Sequence, residues 1–427
     1  MKQQNKIPER WGVVKFGEVF NFIKTYPFPR DYLTEGEEGI KYIHYGDIHA
    51  KFKNLIVNVE SEKIPTLKDK ILVKNGDSFL KDGDLIIVDA SEDYEGTGKC
   101  IELKNVGNKK IISGLHTFAL RDINKRIVDG FRGYLLKHPV TARELRKKAT
   151  GFSVYGISKD TLSNLDLFIP SKEEQQAISK ILSEVDLELD IIDKERKTTE
   201  KLKKGIMVKL LENPSWKKVR LGEIIKIIGG FAFKSEDFMS AGKNVIPLIK
   251  IGDLQNGLIL YNERTSYVKQ ELYDKLPDFQ LSKGDVLIAL SGATTGKISA
   301  VREENLPALL NQRVGKFKIK DDFKIISEYF YQLSQSNDFI KFILKNIGQS
   351  AQGNLSPSDL EKIEIPLPSI EEQKKISSIL STIDKEIELE NKRKNKVERI
   401  KKGLMYDLLT GNKRVNIENV LKIGGGK

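Results

Sequence analysis

Ile169-Pro170-Ser171-Lys172-Glu173-Glu174-Gln175 and Pro366-Leu367-Pro368-Ser369-Ile370-Glu371-Glu372-Gln373 are two copies of one junction. Each precedes about forty proline-free residues with helical spacing of apolar positions. Ile178 is matched by Ile376, Leu182 by Leu380, Asp186 by Asp384, Lys204-Gly205 by Lys402-Gly403 and Met207 by Met405, always 198 residues apart. Two glutamates open each copy, where negative charge opposes the helix dipole. The first helix carries a seam at Ile178, Leu182, Val185, Leu189, Ile192, Ile206 and Leu210. The second carries Ile376, Leu380, Ile383, Ile387, Val397, Leu404 and Leu408. Steps of three and four make an a/d pattern. Both seams turn polar at one place, around 196–199 and Lys394. A helix of this length spans about 60 Å, and matched seams need matched partners, so the two helices are expected to pack on each other. The pattern alone allows either direction.

The duplication extends outward from the junction. Trp11 answers Trp216, and Val14-Lys15-Phe16-Gly17-Glu18-Val19 answers Val219-Arg220-Leu221-Gly222-Glu223-Ile224. Tyr42-Ile43-His44-Tyr45-Gly46-Asp47-Ile48 answers Leu248-Ile249-Lys250-Ile251-Gly252-Asp253-Leu254. Leu80-Lys81-Asp82-Gly83-Asp84-Leu85 answers Leu281-Ser282-Lys283-Gly284-Asp285-Val286. Short β-type runs between turns predict strands at 85–88, 111–112, 118–120, 286–290 and 314–319. Helical patterns come late in each copy, at 127–137 and 142–150, then at 325–333 and 338–346. Each globular segment reads as α+β, about 155 residues long.

Composition bounds the function. The chain has 427 residues, 31% charged and 39% hydrophobic, enough for two or three domains. No apolar run reaches the ~18 residues of a membrane span, and no signal-peptide pattern precedes Trp11, so a cytoplasmic location without membrane contact is expected. Cys100 stands alone, which excludes an internal disulfide. His44, His49, His116 and His138 have no metal-motif company, so no metal site is expected. Lys and Arg outnumber Asp and Glu by 72 to 60, a net charge of +12. That balance suits a polyanion partner, because basic groups release phosphate counterions on binding; it also suits a merely soluble surface.

Catalytic patterns fail on inspection. Ser291-Gly292-Ala293-Thr294-Thr295-Gly296-Lys297 has three residues between its glycines, not the four of a phosphate loop, and Ile298 follows the lysine. Asp84 with Glu102-Leu103-Lys104 imitates a metal-dependent nuclease, but the second copy reads Ala300-Val301-Arg302. Asn213-Pro214-Ser215-Trp216 lacks the second proline of a base-methyltransferase motif. No nucleophile–base pair is legible, and no catalytic residue is assigned.

Polar, basic and aromatic residues cluster at matching places in the two copies. Candidate nucleic-acid contacts are Lys24, Tyr26, Arg30, Lys99, His116, Ser153 and Tyr155 in the first segment. In the second they are Phe233, Lys234, Ser235, Thr294, Lys297, Gln312, Arg313, Gln352 and Asn354. Such side chains reach phosphates and base edges. The loops differ between copies while the flanking strands match, as reading two different sequences requires.

The Trp-x-x-Val-x-Leu-Gly-Glu opening, the Ile-x-x-Gly-Asp-Leu strand, the Leu-x-x-Gly-Asp-Val-Leu-Ile turn and the Glu-Glu-Gln junction resemble the DNA specificity subunit of type I restriction–modification systems. So do the Ser-Gly-x-x-x-Gly-Lys loop and the Asn-Gln pair. The second copy fits better; the first has Phe16 for leucine, one proline fewer at Pro170 and no Asn-Gln near Gly114–Thr117. The resemblance implies an α+β fold: two tandem-repeat target recognition domains separated and spaced by two long helices packed as an antiparallel coiled coil. The domains would be 1–170, helix 171–212, 213–368, helix 369–412 and a tail at 413–427. It implies a non-catalytic subunit that reads a bipartite, asymmetric site on double-stranded DNA. Two methyltransferase subunits would dock on the helices, with Ile178, Leu182, Val185, Leu189, Ile192, Ile376, Leu380, Ile383, Ile387 and Leu404 in the seam. Restriction subunits would follow, and S-adenosylmethionine, ATP and Mg²⁺ would sit on the partners. A coiled-coil assembly scaffold and a stand-alone DNA-modifying enzyme remain the alternatives at this point.

Overall fold

Leu85–Val88 is apolar throughout and buried at all four positions, the pattern of a strand covered on both faces. The turn before it depends on Gly83, with φ at +78°; a Cβ there would lie 2.1 Å from the Arg132 guanidinium. This strand is central in a five-stranded sheet ordered Asn21–Ile23, Thr117–Arg121, Leu85–Val88, Cys100–Lys104, Ile56–Asn58. Its counterpart, Val286–Ala289, lies in a four-stranded sheet ordered Ile225–Gly229, Val314–Ile319, Val286–Ala289, Ile298–Ala300. The computed structural model describes residues 8, 11–36, 38–68, 73, 78–91, 96, 98–151, 155–255, 257–349 and 353–422. They fall into two units: Met1–Asp193 with Lys392–Lys427, and Lys194–Asn391.

The expected strands form close to their predicted limits. The late helices are shorter in the first unit, at Arg132–Leu135 and Pro139–Lys148. Gly130, at φ +86°, interrupts the pattern that begins at Ile127, and Pro139 occupies the first turn of the next helix. In the second unit they are Ser327–Ser334 and Asn337–Gln349.

Each unit ties its first strand to its last. Gly12–Lys15 pairs antiparallel with Asp166–Ile169, and Lys218–Arg220 with Glu364–Pro366. This brings the opening tryptophan to the start of a long helix, Lys172–Leu211 or Ile370–Leu409. There the repeated junction acts as a clamp. Gln175, 1% exposed, accepts the Val128 N–H at 2.8 Å and donates to the Pro170 carbonyl at 3.0 Å. Gln373, fully buried, accepts the Ile326 N–H at 3.0 Å and donates to the Lys324 and Pro368 carbonyls. The preceding glutamates differ. Glu372 caps its own helix with Ser369, the two side chains satisfying each other's backbone N–H groups. Glu174 takes the Trp11 indole N–H at 3.0 Å, as Glu372 takes that of Trp216, and adds the Arg414 guanidinium at 2.6 Å. Arg414 and Val415 thereby join the first unit, where Val415 packs on the core.

The helix pair is antiparallel within each unit. In the first, Asp186 meets Lys401 and Asp193 meets Lys394 at 2.8 Å. In the second, Thr199 meets Glu390 at 3.0 Å and Lys203 meets Asp384 at 2.6 Å. The polar break in both seams is filled by the Asp193–Lys394 ion pair and the Thr199–Glu390 hydrogen bond. The apolar ends of the seams do more than face each other. Ile178, Leu182 and Leu408 share one cluster with Phe16, Leu162 and Leu167. Met207, Leu211, Ile376 and Leu380 share another with Leu221, Ile288 and Tyr329. Leu182→Ala or Leu380→Ala is therefore expected to cost about 2–5 kcal/mol in denaturant unfolding; a loss below about 1 kcal/mol would contradict this packing.

Lys394 hydrogen-bonds Asp193 and holds its carboxyl down at about 2. A depressed carboxyl stabilises the folded state above its ordinary pKa of 3.8 and loses that contribution as the pH falls towards 2. Acid titration of folding stability should therefore be shallower across that window in Asp193→Asn than in the unaltered chain.

Candidate nucleic-acid interface

In the second unit, Ile225–Gly229 runs into Gly230, whose Cβ, if present, would lie 2.3 Å from the Leu310 carbonyl oxygen. That approach lets Phe231 bridge to Asn311. Phe231 stacks edge-on against Phe233 at 5.0 Å and Phe279 at 5.4 Å. The tip Asn311-Gln312-Arg313 rests on this aromatic footing. The Gln312 N–H donates to the Phe231 carbonyl at 2.9 Å, and the Arg313 carbonyl accepts the Leu290 N–H at 2.9 Å. Both tip side chains are exposed while their backbone is fixed. The Leu290 carbonyl in turn accepts the Leu355 N–H at 2.8 Å, which sets the exposed Asn354 beside the tip. Lys297 is exposed, whereas the Thr294 hydroxyl is bonded to the Ile251 carbonyl at 2.8 Å. Lys234 and Ser235 are exposed at the start of a short 3-10 turn. Phe233 is 6% exposed and packs in a core cluster, so it supports the site and does not present a stacking face.

The first unit builds the same tip from different residues. Its counterpart is Gly114-Leu115-His116, because Gly114 bridges to Tyr26 as Asn311 bridges to Phe231. The Asp89 N–H donates to the His116 carbonyl just as Leu290 donates to Arg313. The missing Asn-Gln pair is thus a change of side chains on a retained tip. His116 holds φ +57°, its Nδ1 lies 3.5 Å from Asp89, and its ring meets Tyr45 edge-on at 5.4 Å. Burial pushes the Asp89 carboxyl up, and His116 opposes that shift. Arg30 is exposed, 3.9 Å from Asp47, and Lys24 sits over the Tyr26 ring at 5.1 Å. Tyr26 itself is 9% exposed and bonded to Ser78 at 3.1 Å, again a footing. Lys99 donates to the His49 carbonyl at 2.8 Å. Tyr155 is half-buried in a strand paired with Ala90–Ser91. Ser153 and Gln352 lie outside the described residues.

Tyr42 is the residue that pattern reading passed over. Its hydroxyl accepts the Phe28 and Leu115 N–H groups, both at 3.1 Å, and donates to the Tyr26 carbonyl at 2.6 Å. It fastens the tip to the aromatic loop. Burial raises its hydroxyl pKa. The only sequence signal was a tyrosine where the second copy has Leu248.

The family model described as the type I restriction modification DNA specificity domain matches residues 8–202 and again 213–399. The chain belongs to this family. It is 30% identical over 430 residues to the type I restriction enzyme MjaVIII specificity subunit of Methanocaldococcus jannaschii, covering 96% of this chain and 94% of that one. Its fold matches the S subunit of a type I restriction–modification system from M. genitalium, with a TM-score of 0.61, 18% identity and coverage of 96% and 98%. A chain from a structure of type I complex assembly gives 0.54, 17% identity and coverage of 96% and 100%.

The acids that imitate a nuclease are structural in this specificity chain. Asp84 receives Arg121 at 2.8 and 2.6 Å and the Lys81 N–H at 2.7 Å. Glu102 receives the Gly130 N–H at 2.5 Å, the Gly133 N–H at 3.1 Å and Arg132 at 3.3 Å. Among the described residues no group of three or more His, Cys, Asp or Glu side chains is placed to hold a metal, and no helix is long and apolar enough to cross a membrane.

The long helices also carry apolar residues that the fold leaves outside. Ile191 and Leu389 are exposed at equivalent positions, as are Leu202 and Ile400, and Val208 and Tyr406, all between 38% and 60%. The first unit thus shows Ile191, Ile400 and Tyr406, and the second shows Leu389, Leu202 and Val208.

Proposed function

We propose that this chain is the sequence-reading subunit of a type I restriction–modification complex, each unit reading one half of a bipartite, asymmetric site on double-stranded DNA. One observation carries the reading: two tips held at corresponding bridges, Tyr26 to Gly114 and Phe231 to Asn311, and at the corresponding His116 and Arg313 carbonyls carry different exposed side chains, Leu115-His116 and Gln312-Arg313. A rigid footing with exchangeable tips suits base readout, since base contacts specify while phosphate contacts position. Lys24, Arg30, Lys234 and Lys297 are exposed and serve the phosphates. Reading requires no chemistry from this chain; S-adenosylmethionine, ATP and Mg²⁺ belong on the methyltransferase and restriction subunits. The assembled complex should bind duplex DNA with a log–log salt slope of several phosphate contacts and a clear sequence preference. Salt-independent or sequence-blind binding would overturn the reading.

The recurrence of exposed apolar residues at equivalent helix positions supports two equivalent docks, one in each unit, for two methyltransferase subunits. Restriction subunits join through them. Ile400→Asp with Tyr406→Asp should leave the fold intact and reduce bound methyltransferase from two copies to one, read by mass measurement of the complex. Retention of both copies would remove this face from the interface.

A further inference from the structure

Each unit contains the same three-part bridge. Asp186 lies on the first long helix, bonds Lys401 of the second, and accepts the Tyr134 hydroxyl of the globular segment at 3.3 Å. Asp384 lies on the second helix, bonds Lys203 of the first at 2.6 Å, and accepts the Gln332 amide N–H at 2.7 Å. All three members correspond across the repeat, and only the reader's donor has changed, from tyrosine to glutamine. The donors are buried, Tyr134 fully and Gln332 at 1% exposed. Such an aspartate satisfies two bodies at once. It pairs helix to helix, and it ties the reader to that pair.

We infer that Asp186 and Asp384 are positioning residues that fix the angle of each reader on its helix pair, and so set how strictly the complex measures the gap between its two half-sites. The inference rests on the bipartite reading above. Apolar packing alone permits small rotations, because it is non-directional. A directed hydrogen bond from a buried donor to a carboxylate opposes them. The geometry of DNA makes small rotations matter. A domain of this size has a radius of about 15 Å, so a swing of about 10° moves a tip by ~3 Å, close to one base-pair step of about 3.4 Å.

The test separates the joint from the helix pair. Tyr134→Phe and Gln332→Met remove the reader's donor, keep the packing volume, and leave the Asp–Lys pairs in place. Assembled complexes are titrated with duplexes carrying the two half-sites mapped from DNA methylated by the unaltered complex, at the native gap and at one base pair more or fewer. The expected result is that discrimination against the altered gaps falls by about tenfold, while discrimination against substituted half-sites stays the same. Lys203→Met, which cuts the helix–helix arm, should relax the gap less than Gln332→Met. Unchanged gap discrimination in both donor variants would overturn the inference, and so would altered half-site preference. An unaltered complex with no two-part preference at all would overturn the functional reading instead.

Discussion

Replacing Gln312 and Arg313 together with alanine lowers affinity for one half-site by about ten- to a hundredfold and leaves the other half-site unaffected. The magnitude follows from base readout: a good bidentate pair contributes about 1–3 kcal/mol of discrimination, and 1.4 kcal/mol is about tenfold. The selectivity for one half follows from the anchorage. Both backbones are held by Phe231 and Leu290, so the substitutions remove side chains without releasing the tip. His116→Ala should act on the opposite half-site. Its effect should be smaller, because Asp89 and Tyr45 already engage the imidazole. Competition titrations with singly substituted half-sites read both effects. Equal loss on both halves would mean that these residues contact phosphates and carry no sequence.

Glu102→Ala destabilises the first unit by about 3–5 kcal/mol, the usual cost of stripping one partner from a buried charge pair. Glu102 is 1% exposed, as a charge bound on several sides must be. Burial pushes its carboxyl up, while the Gly130 and Gly133 amides and Arg132 pull it back. Its loss leaves the Gly130 and Gly133 amides without their acceptor and takes one of three carboxylates from the buried Arg132, which keeps Asp129 and Asp122. The second unit has Ala300 where the first has Glu102 and Phe330 where the first has Arg132, so this charge pair has no counterpart there. Differential scanning calorimetry should show the change in the transition of the first unit alone. A Glu102→Ala chain that folds normally but loses a Mg²⁺-dependent cleavage activity would make this acid catalytic.

The scaffold was legible because duplication makes a sequence its own alignment. The junction, the Gly-Asp turns and both helix seams stood out by repetition. The antiparallel direction was not legible from spacing, since either direction buries the same stripe; it lies in charge pairs such as Asp193 with Lys394, which no periodicity marks. The candidate contacts divide along a physical line. Exposed tips such as Arg313 and His116 were found by their polarity. Tyr26 and Phe233 share that composition but are buried, because an aromatic beside a lysine reads the same in a footing as on a surface. The equivalence of Gly114-Leu115-His116 with Asn311-Gln312-Arg313 was hidden, since it lies in backbone hydrogen bonds and not in residue types. The attachment of Arg414 and Val415 to the first unit was hidden too, because a single ion pair to Glu174 spans 240 residues of sequence.

If the chain carries two different readers, its two halves must specify independently. The direct measurement is methylation-sensitive sequencing of DNA exposed to the assembled complex, with residues 1–170 exchanged for the same segment of another family member. The expected methylated sequence keeps one half-site and the gap, and changes the other half-site completely. A methylated sequence that stays the same, or one in which both halves change, would contradict the account.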